Sequence, residues 1–168
     1  MQHLQDTQPE LQITARDRKC VQLAALCHDL GHGPFSHLFD NAFMAIASPD
    51  SPSEHELRSE LMLVHLVKSN NLAAEIDDSE IGFINDLIHG APRSHSTRQE
   101  KPFLFDIVNN KRNSVDVDKF DYIQRDCHNI GLKCSIDAKR LITFSRVVDD
   151  QICFNQKEAY NLYEVLST

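Results

Sequence analysis

The sequence has no tryptophan and few chain-breaking residues, with five glycines and six prolines among 168 residues. No Cys-x-x-Cys pair occurs among its five cysteines, which are Cys20, Cys27, Cys127, Cys134 and Cys153. This spacing excludes a structural zinc site, and an odd cysteine count favours reduced thiols. No apolar run reaches the roughly 18 residues of a transmembrane span, and the polar N-terminus lacks a signal peptide's apolar stretch. We therefore expect an intracellular protein that does not enter a membrane.

Basic residues are also in the minority, since 17 lysines and arginines face 25 acidic residues and give a net charge of −8. A chain this acidic lacks the broad positive surface of a general nucleic-acid binder. Its content of 41% hydrophobic and 25% charged residues is that of a globular domain, which excludes a disordered chain. If the protein binds a polyanion, local cations or a metal must provide the attraction.

The spacing of apolar residues predicts an almost entirely helical fold. Thr14 and Asp17 have the spacing of a capping box, ahead of a helix that should end near Gly31. Further helices are predicted over 36–47, 53–67, 79–90, 103–109, 117–129 and 136–148. A short β-hairpin is predicted from 146–148 and 150–154, and the polar, proline-flanked residues 90–102 form the predicted mobile loop.

Polar residues concentrate after the first long helix, in CHDLGHGPFSH (27–37). The adjacent His28 and Asp29 offer an imidazole nitrogen and a carboxylate oxygen, which together suit a divalent cation. The glycines that follow let the backbone turn and bring His32 and His37 to the same neighbourhood. The alternative is a group of hydrogen-bonded core histidines, which is the usual role of a buried histidine.

The second polar cluster lies in NKRNSVDVDKFDYIQRDC (110–127). On a helix, Asp118, Tyr122 and Asp126 share one face because they are four residues apart. The opposite face carries the core-type residues Phe120, Ile123 and Cys127. An ordinary helix would present this polar face to solvent, whereas the nearby cations Lys119 and Arg125 favour recognition of phosphate and sugar.

Two segments, LCHDLGHGPFSHLFD (26–40) and NKRNSVDVDKFDYIQRDCHNIGL (110–132), resemble the HD-domain phosphohydrolases. More narrowly, they resemble the vertebrate SAM- and HD-domain deoxynucleoside triphosphate triphosphohydrolases, and PELQIT, KPFLFDIVNNKRN and NLY extend the similarity. The resemblance implies an all-α HD-domain fold with at most one small β-hairpin. It also implies hydrolysis of a dNTP to a deoxynucleoside and inorganic triphosphate, in which a divalent metal activates the attacking water.

The resemblance assigns roles to individual residues in these segments. The implied metal ligands are His28, Asp29 and Asp118. The implied catalytic residues are His32, His37 and His55. Among them His37 is the candidate general acid, since the leaving oxygen needs a proton, whereas His55 considered alone would more often be a surface residue. Iron, manganese, magnesium and zinc all suit such ligands.

The resemblance also implies how the substrate and regulatory nucleotides bind. Lys119 would contact phosphate, and Tyr122 and Asp126 would lie on the sugar side, where a 2′-hydroxyl can be excluded. The family is activated by GTP and dNTPs bound between the subunits of a tetramer, which implies a homo-oligomer in the nucleus. The matching regulatory positions are Arg140, Lys157 and Asn161. Asn155 stands where the family is expected to have an arginine.

The resemblance further predicts that residues 1–168 form a partial HD domain, truncated at both ends. The family takes another histidine ligand from a helix that would precede Met1, and His3 lies too close to PELQIT to replace it. The SAM domain and a helix that grips the triphosphate are also expected to lie outside the chain. We therefore expect weak or no activity from this chain alone.

Three alternatives remain open at the level of sequence. The first is an HD phosphohydrolase for another phosphoester, which the helix carrying Tyr122 and Asp126 disfavours. The second is a truncated, non-catalytic subunit that associates with full-length chains. The third is weak binding of single-stranded nucleic acid, which the net charge of −8 disfavours.

Overall fold

The computed structural model describes residues 1–50, 54–93 and 101–167 and consists of helices with one β-hairpin. The α-helices are α1 (Gln2–Thr7), α2 (Ala15–Cys27), α3 (Met44–Ala47), α4 (His55–Ser69), α5 (Asp78–His89), α6 (Phe105–Val108), α7 (Val117–Asn129), α8 (Ala138–Thr143) and α9 (Ala159–Ser167). The strands are β1 (Ser145–Val148) and β2 (Gln151–Phe154). Short 3₁₀ helices span Pro9–Leu11, Pro102–Leu104 and Gln156–Glu158, and a π-helical segment spans Phe39–Phe43. The predicted all-α fold with one small hairpin is confirmed.

The larger core forms where α5 packs against both α2 and α4. Its fully buried side chains include Cys20, Leu63, Ile84, Leu87 and Leu104. A second, smaller core brings together α7, α8 and α9 around Phe120, Ile123, Leu141 and Val165. The candidate functional residues lie on the elements around these cores, namely the turn after α2, the start of α4 and one face of α7.

Capping boxes start two of the core helices. At α2, Thr14 Oγ1 accepts a hydrogen bond from Asp17 N at 3.1 Å, and Thr14 N donates to Asp17 Oδ2 at 2.9 Å, which confirms the predicted box. At α5, Asp77 and Glu80 form the same arrangement. Each box satisfies backbone N–H groups that a helix start otherwise leaves unpaired. The predicted cap of α4 at Ser53 lies outside the described residues.

The hairpin pairs Ser145 with Phe154 and Val148 with Gln151 in antiparallel register. Its two turn residues, Asp149 and Asp150, have φ angles of 49° and 59°. Positive φ at both turn residues is the geometry of a type I′ turn, whose twist matches that of the flanking strands. The predicted hairpin is confirmed, but the predicted helix over 136–148 is wrong beyond Thr143, because pairing with β2 holds these residues extended.

Two further helix boundaries differ from the prediction. Helix α2 ends at Cys27 rather than near Gly31. The helix predicted over 36–47 begins at His37, because Phe35 and Ser36 have φ angles of 64° and 47° and cannot belong to a right-handed helix.

Two remaining predictions concern loops and membranes. Residues 94–100 of the predicted mobile loop lie outside the described residues. Within the part of the chain that the structure describes, no helix is both long and apolar enough to cross a membrane.

Candidate functional site

The turn that follows α2 is held against α4 by hydrogen bonds between its backbone and two α4 side chains. Ser59 Oγ accepts a hydrogen bond from Gly31 N at 2.8 Å and donates to His28 O at 2.5 Å. Arg58 Nε donates to Gly31 O at 2.9 Å. A Cβ atom on Gly31 would lie 2.2 Å from His55 O, so only glycine allows this close approach. These contacts fix the chain where His28 and Asp29 leave the helix.

The three predicted metal ligands meet beside this turn. His28 Nδ1 donates to Ala25 O at 2.8 Å, which directs Nε2 towards Asp29 Oδ1 at 3.3 Å and Asp118 Oδ1 at 3.2 Å. One ligand atom from each of His28, Asp29 and Asp118 lies within 4.8 Å of the other two. A backbone carbonyl that orients a histidine in this way is typical of metal ligands.

The electrostatics of this group favour a positive charge at His28 Nε2. Burial opposes protonation of the ring, but Asp118 and Asp29 outweigh it and raise the pKa of His28 to about 9. The contact with His28 in turn lowers the pKa of Asp118 against the opposing effect of burial. His28 Nε2 is buried, and among the described residues nothing forms a hydrogen bond with it. A buried imidazole nitrogen that faces two carboxylates fits a divalent cation, which would take the place of the proton.

The three predicted catalytic histidines lie together next to the metal ligands. The rings of His32 and His55 stack with their centroids 3.8 Å apart, and His37 meets them edge-on at 5.5 and 5.8 Å. His32 Nε2 lies 3.4 Å from Asp29 Oδ1, which links the histidines to the metal group. Burial, assisted by His55, lowers the pKa of His32. This ring is therefore mainly neutral near pH 7.

Asp40 is a site residue that the sequence analysis missed. It is 5% exposed, and its Oδ2 atom lies 3.4 Å from His55 Nδ1 and 3.8 Å from His32 Nδ1. Its Oδ1 atom pairs with Arg58. Asp40 belongs to the π-helical segment Phe39–Phe43, and such segments often occur at functional sites. Its place inside the first resembling segment was the signal available in the sequence.

The metal ligands and the histidines open onto a cavity of about 770 Å³. Helix α7 contributes Asp118, Tyr122 and Asp126 to its lining, as their shared face predicted. Arg125 also lines the cavity, whereas Lys119 is not among the lining residues. Burial, together with nearby carboxylates, raises the pKa of Tyr122, so its hydroxyl remains protonated and can donate a hydrogen bond. The volume is within the range of small-molecule sites.

The three predicted regulatory residues lie together where α8 approaches the start of α9. Arg140 forms an ion pair with the buried Glu158. Asn161 Nδ2 donates to Asp137 O at 2.9 Å, and its Oδ1 atom accepts from Asp137 N at 3.0 Å. Lys157 is exposed on the intervening 3₁₀ helix. Two of the three side chains therefore have partners within this chain.

A family model matches the part of the chain that carries His28, Asp29 and Asp118. The model described as HD domain covers residues 2–126, which include all three ligands. The chain belongs to the HD-domain family. In this HD domain the candidate metal ligands come from the end of one helix and from a second helix that is distant in the sequence.

Several curated proteins are similar to this HD domain. The chain is 45% identical over its whole length to deoxynucleoside triphosphate triphosphohydrolase SAMHD1 of Bos taurus, of which it covers 32%. Over 98% of the chain it is 45% identical to the Homo sapiens protein of that name, of which it covers 29%. The Dictyostelium discoideum homolog is 49% identical over 96% of the chain, which covers 30% of that protein. The chain thus spans about a third of these relatives.

Proposed function

We propose that this HD domain hydrolyses deoxynucleoside triphosphates to a deoxynucleoside and inorganic triphosphate. The observation that carries the proposal is the convergence of His28, Asp29 and Asp118 on one point of a nucleotide-sized cavity. The similar proteins are deoxynucleoside triphosphate triphosphohydrolases by name, and this supports the substrate class. For this chain alone we expect weak or no turnover, as the sequence resemblance predicts.

Within this proposal His28, Asp29 and Asp118 hold a divalent metal ion. When bound, the ion supplies Lewis acidity and lowers the pKa of a water molecule. The hydrogen bond from His28 Nδ1 to Ala25 O keeps Nε2 directed at the ion. The contact with His28 lowers the pKa of Asp118, so this carboxylate is ionised at neutral pH, and binding of the ion would release the proton from His28 Nε2. Iron, manganese, magnesium and zinc all accept these ligands.

The histidines provide the proton transfer that cleavage requires. His37 is exposed at the cavity edge, where it can protonate the 5′-oxygen as this leaves. His32 and His55 stay in place through their ring stack, and Asp40 packs against the Nδ1 side of both rings. Ordered rings of this kind spare the enzyme the cost of arranging them during the reaction.

Helix α7 binds the nucleotide in this proposal. Tyr122 and Asp126 face the sugar, where close contact excludes a 2′-hydroxyl. Lys119 contacts phosphate in the family resemblance, although Arg125 rather than Lys119 lines the cavity. A guanidinium can form two parallel hydrogen bonds to a phosphate, which suits Arg125 to the same task.

Regulation and assembly form the finer part of the proposal. GTP or a dNTP would bind near Arg140, Lys157 and Asn161 in a nuclear homo-oligomer. Arg140 and Asn161 would then exchange their present partners, Glu158 and Asp137, for the nucleotide.

The decisive experiment measures inorganic triphosphate released from dGTP by the purified chain, with Mg²⁺ or Mn²⁺ and excess GTP. We expect weak release or none, and any release by the chain itself should depend on the metal and disappear in Asp118→Ala. That variant also controls for contaminating phosphatases. Release of pyrophosphate or orthophosphate that is lost in Asp118→Ala would instead indicate an HD phosphohydrolase for another phosphoester. A folded, metal-loaded chain that releases nothing would mean that its active site is incomplete and would favour the non-catalytic subunit. Full-rate turnover would refute the expected weakness of this chain.

A further inference from the structure

A second group of metal-ligating side chains lies beside the first and shares no residue with it. His37, Asp40 and His55 each place one ligand atom within 4.8 Å of the other two. All three line a cavity of about 360 Å³, which shares His37, His55 and Glu56 with the larger cavity described above. The other ionisable residues that line this cavity are Glu54, Glu56, His89 and Lys111. Because the three side chains line this cavity, small solutes can reach them.

The buried carboxylate of Asp40 is the feature that points to a ligand. Its side chain is 6% exposed, and Arg58 pairs with Oδ1. Asp40 Oδ2 is buried, and within the described ranges no group forms a hydrogen bond with it, although His55 Nδ1 is 3.4 Å away. A buried acceptor without a partner is costly, and native structures contain few. A cation at this position would satisfy the oxygen.

We propose that His37, Asp40 and His55 bind a second divalent cation. Two imidazole nitrogens and one carboxylate oxygen form a ligand set that suits Zn²⁺, with water completing the tetrahedron. The Arg58 pair orients the Asp40 carboxylate and leaves Oδ2 for the ion, as groups behind a metal ligand commonly do. His37 is exposed and can rotate onto the ion without repacking the core.

A competing group consists of Asp29, His32 and His55, whose ligand atoms also lie within 4.8 Å of one another. This group shares Asp29 with the first metal site, so it would require that carboxylate to bridge two ions. It also leaves Asp40 Oδ2 without a partner. The group containing His37 provides a ligand for the cation at Asp40 Oδ2 and needs no shared residue, which is why the second ion is assigned to it.

The second ion has a consequence for activity that rests on the function proposed above. His37 and His55 are assigned to proton transfer, and a bound cation would occupy their nitrogen atoms. Zn²⁺ should therefore inhibit dNTP hydrolysis at concentrations that fill the second site. Asp40 and Arg58 would act only through the histidines in this effect.

Calorimetric titration of the metal-free chain with Zn²⁺ at neutral pH tests the proposal without substrate. We expect two bound ions for the wild type and one for His37→Ala. The matched control is His65→Ala, an exposed histidine on α4 that should retain both ions. Asp118→Ala should also bind one ion, and the Asp118→Ala/His37→Ala double variant none. Circular dichroism verifies that each variant is folded.

Each stoichiometry has one meaning for the proposal. A single ion in the wild type, or two ions in His37→Ala, would overturn it. Loss of the second ion in His32→Ala but not in His37→Ala would assign that ion to the competing group. Because the titration contains no nucleotide, failure of the proposed dNTP hydrolysis leaves this result fully interpretable.

Discussion

At the scale of single residues, one glycine and one serine fix the position of the candidate metal ligands. Gly31 brings the backbone after α2 into contact with α4, and Ser59, which is fully buried, bridges Gly31 N and His28 O. A larger side chain at Gly31 would collide with His55 O and Ser59 N. Both positions support His28 without binding a ligand themselves.

Replacement of Gly31 by alanine should lower both stability and metal affinity. The added Cβ would lie 2.2 Å from His55 O, and overpacking of this kind costs about 1–3 kcal/mol. Gly82→Ala is the control, since its Cβ meets no described atom within 4 Å and alanine favours a helix by about 1 kcal/mol. Urea unfolding and metal titration measure both effects. Equal changes in the two variants would contradict this role of Gly31.

At the scale of elements, the start of α2 is secured by charge as well as by its capping box. Asp17 is 2% exposed and accepts a hydrogen bond from Lys101 Nζ at 2.6 Å. Burial favours the neutral carboxyl, but the bonds from Lys101 and Thr14 outweigh burial and lower the pKa of Asp17. The start of α2 is thereby joined to the 3₁₀ helix Pro102–Leu104, which packs in the larger core.

The contribution of Asp17 to stability should depend on pH. A lowered folded-state pKa stabilises the fold above the unfolded value of about 3.9, and the effect disappears as pH falls through the folded value. The difference in unfolding free energy between wild type and Asp17→Asn should therefore be largest above about pH 5 and shrink in acid. Asp6→Asn, at an exposed position, is the control. A difference that stayed constant from pH 7 to acid would refute this assignment.

The hairpin turn allows a gain in stability. Asp150 has a φ angle of 59°, where glycine avoids the steric cost that other residues meet. Asp150→Gly should therefore stabilise the protein, by up to about 1 kcal/mol, because Asp-Gly suits a type I′ turn. Asp150→Val, which cannot easily adopt positive φ, should destabilise it. Thermal unfolding compares the two variants, and a more stable valine variant would rule out this turn geometry.

At the scale of the whole molecule, the three candidate metal ligands come from two distant parts of the chain. His28 and Asp29 follow α2, whereas Asp118 lies on α7, which packs into the smaller core. The Asp118 carboxylate is held beside His28 only when both cores are formed. An ion at this point would therefore connect the two halves of the fold.

Excess Mn²⁺ should consequently raise the melting temperature. An ion that binds only the folded state stabilises it by about 2.7 kcal/mol at a hundredfold excess over Kd. Asp118→Asn should show a clearly smaller shift, whereas Asp121→Asn, exposed on the same helix, should match the wild type. Chelation should reverse the effect. Equal shifts in the two variants would place the stabilising ion elsewhere.

Several features could be predicted from the sequence because they depend on near neighbours. The capping box at Thr14, the helix over 117–129 and the end of α5 at Gly90 all follow from local hydrogen bonding and backbone freedom. The shared face of Asp118, Tyr122 and Asp126 follows from helical periodicity alone, and all three line the cavity. The helix predicted over 136–148 was wrong beyond Thr143, because residues 145–148 pair with the strand at 151–154 and this pairing outweighs their local preference for a helix.

Most of the helices, the hairpin, the HD-type residue pattern and the candidate ligands could be predicted from the sequence, since they depend on residue identity and short spacing. Three contacts could be seen only in the folded molecule: His28 Nε2 faces Asp118, His32 stacks on His55, and Asp40 is buried behind both rings. The tertiary structure also placed Arg125 rather than Lys119 in the cavity lining. The reason is physical: these contacts join residues distant in the chain, and their geometry is set by how α4 and α7 pack around the two cores.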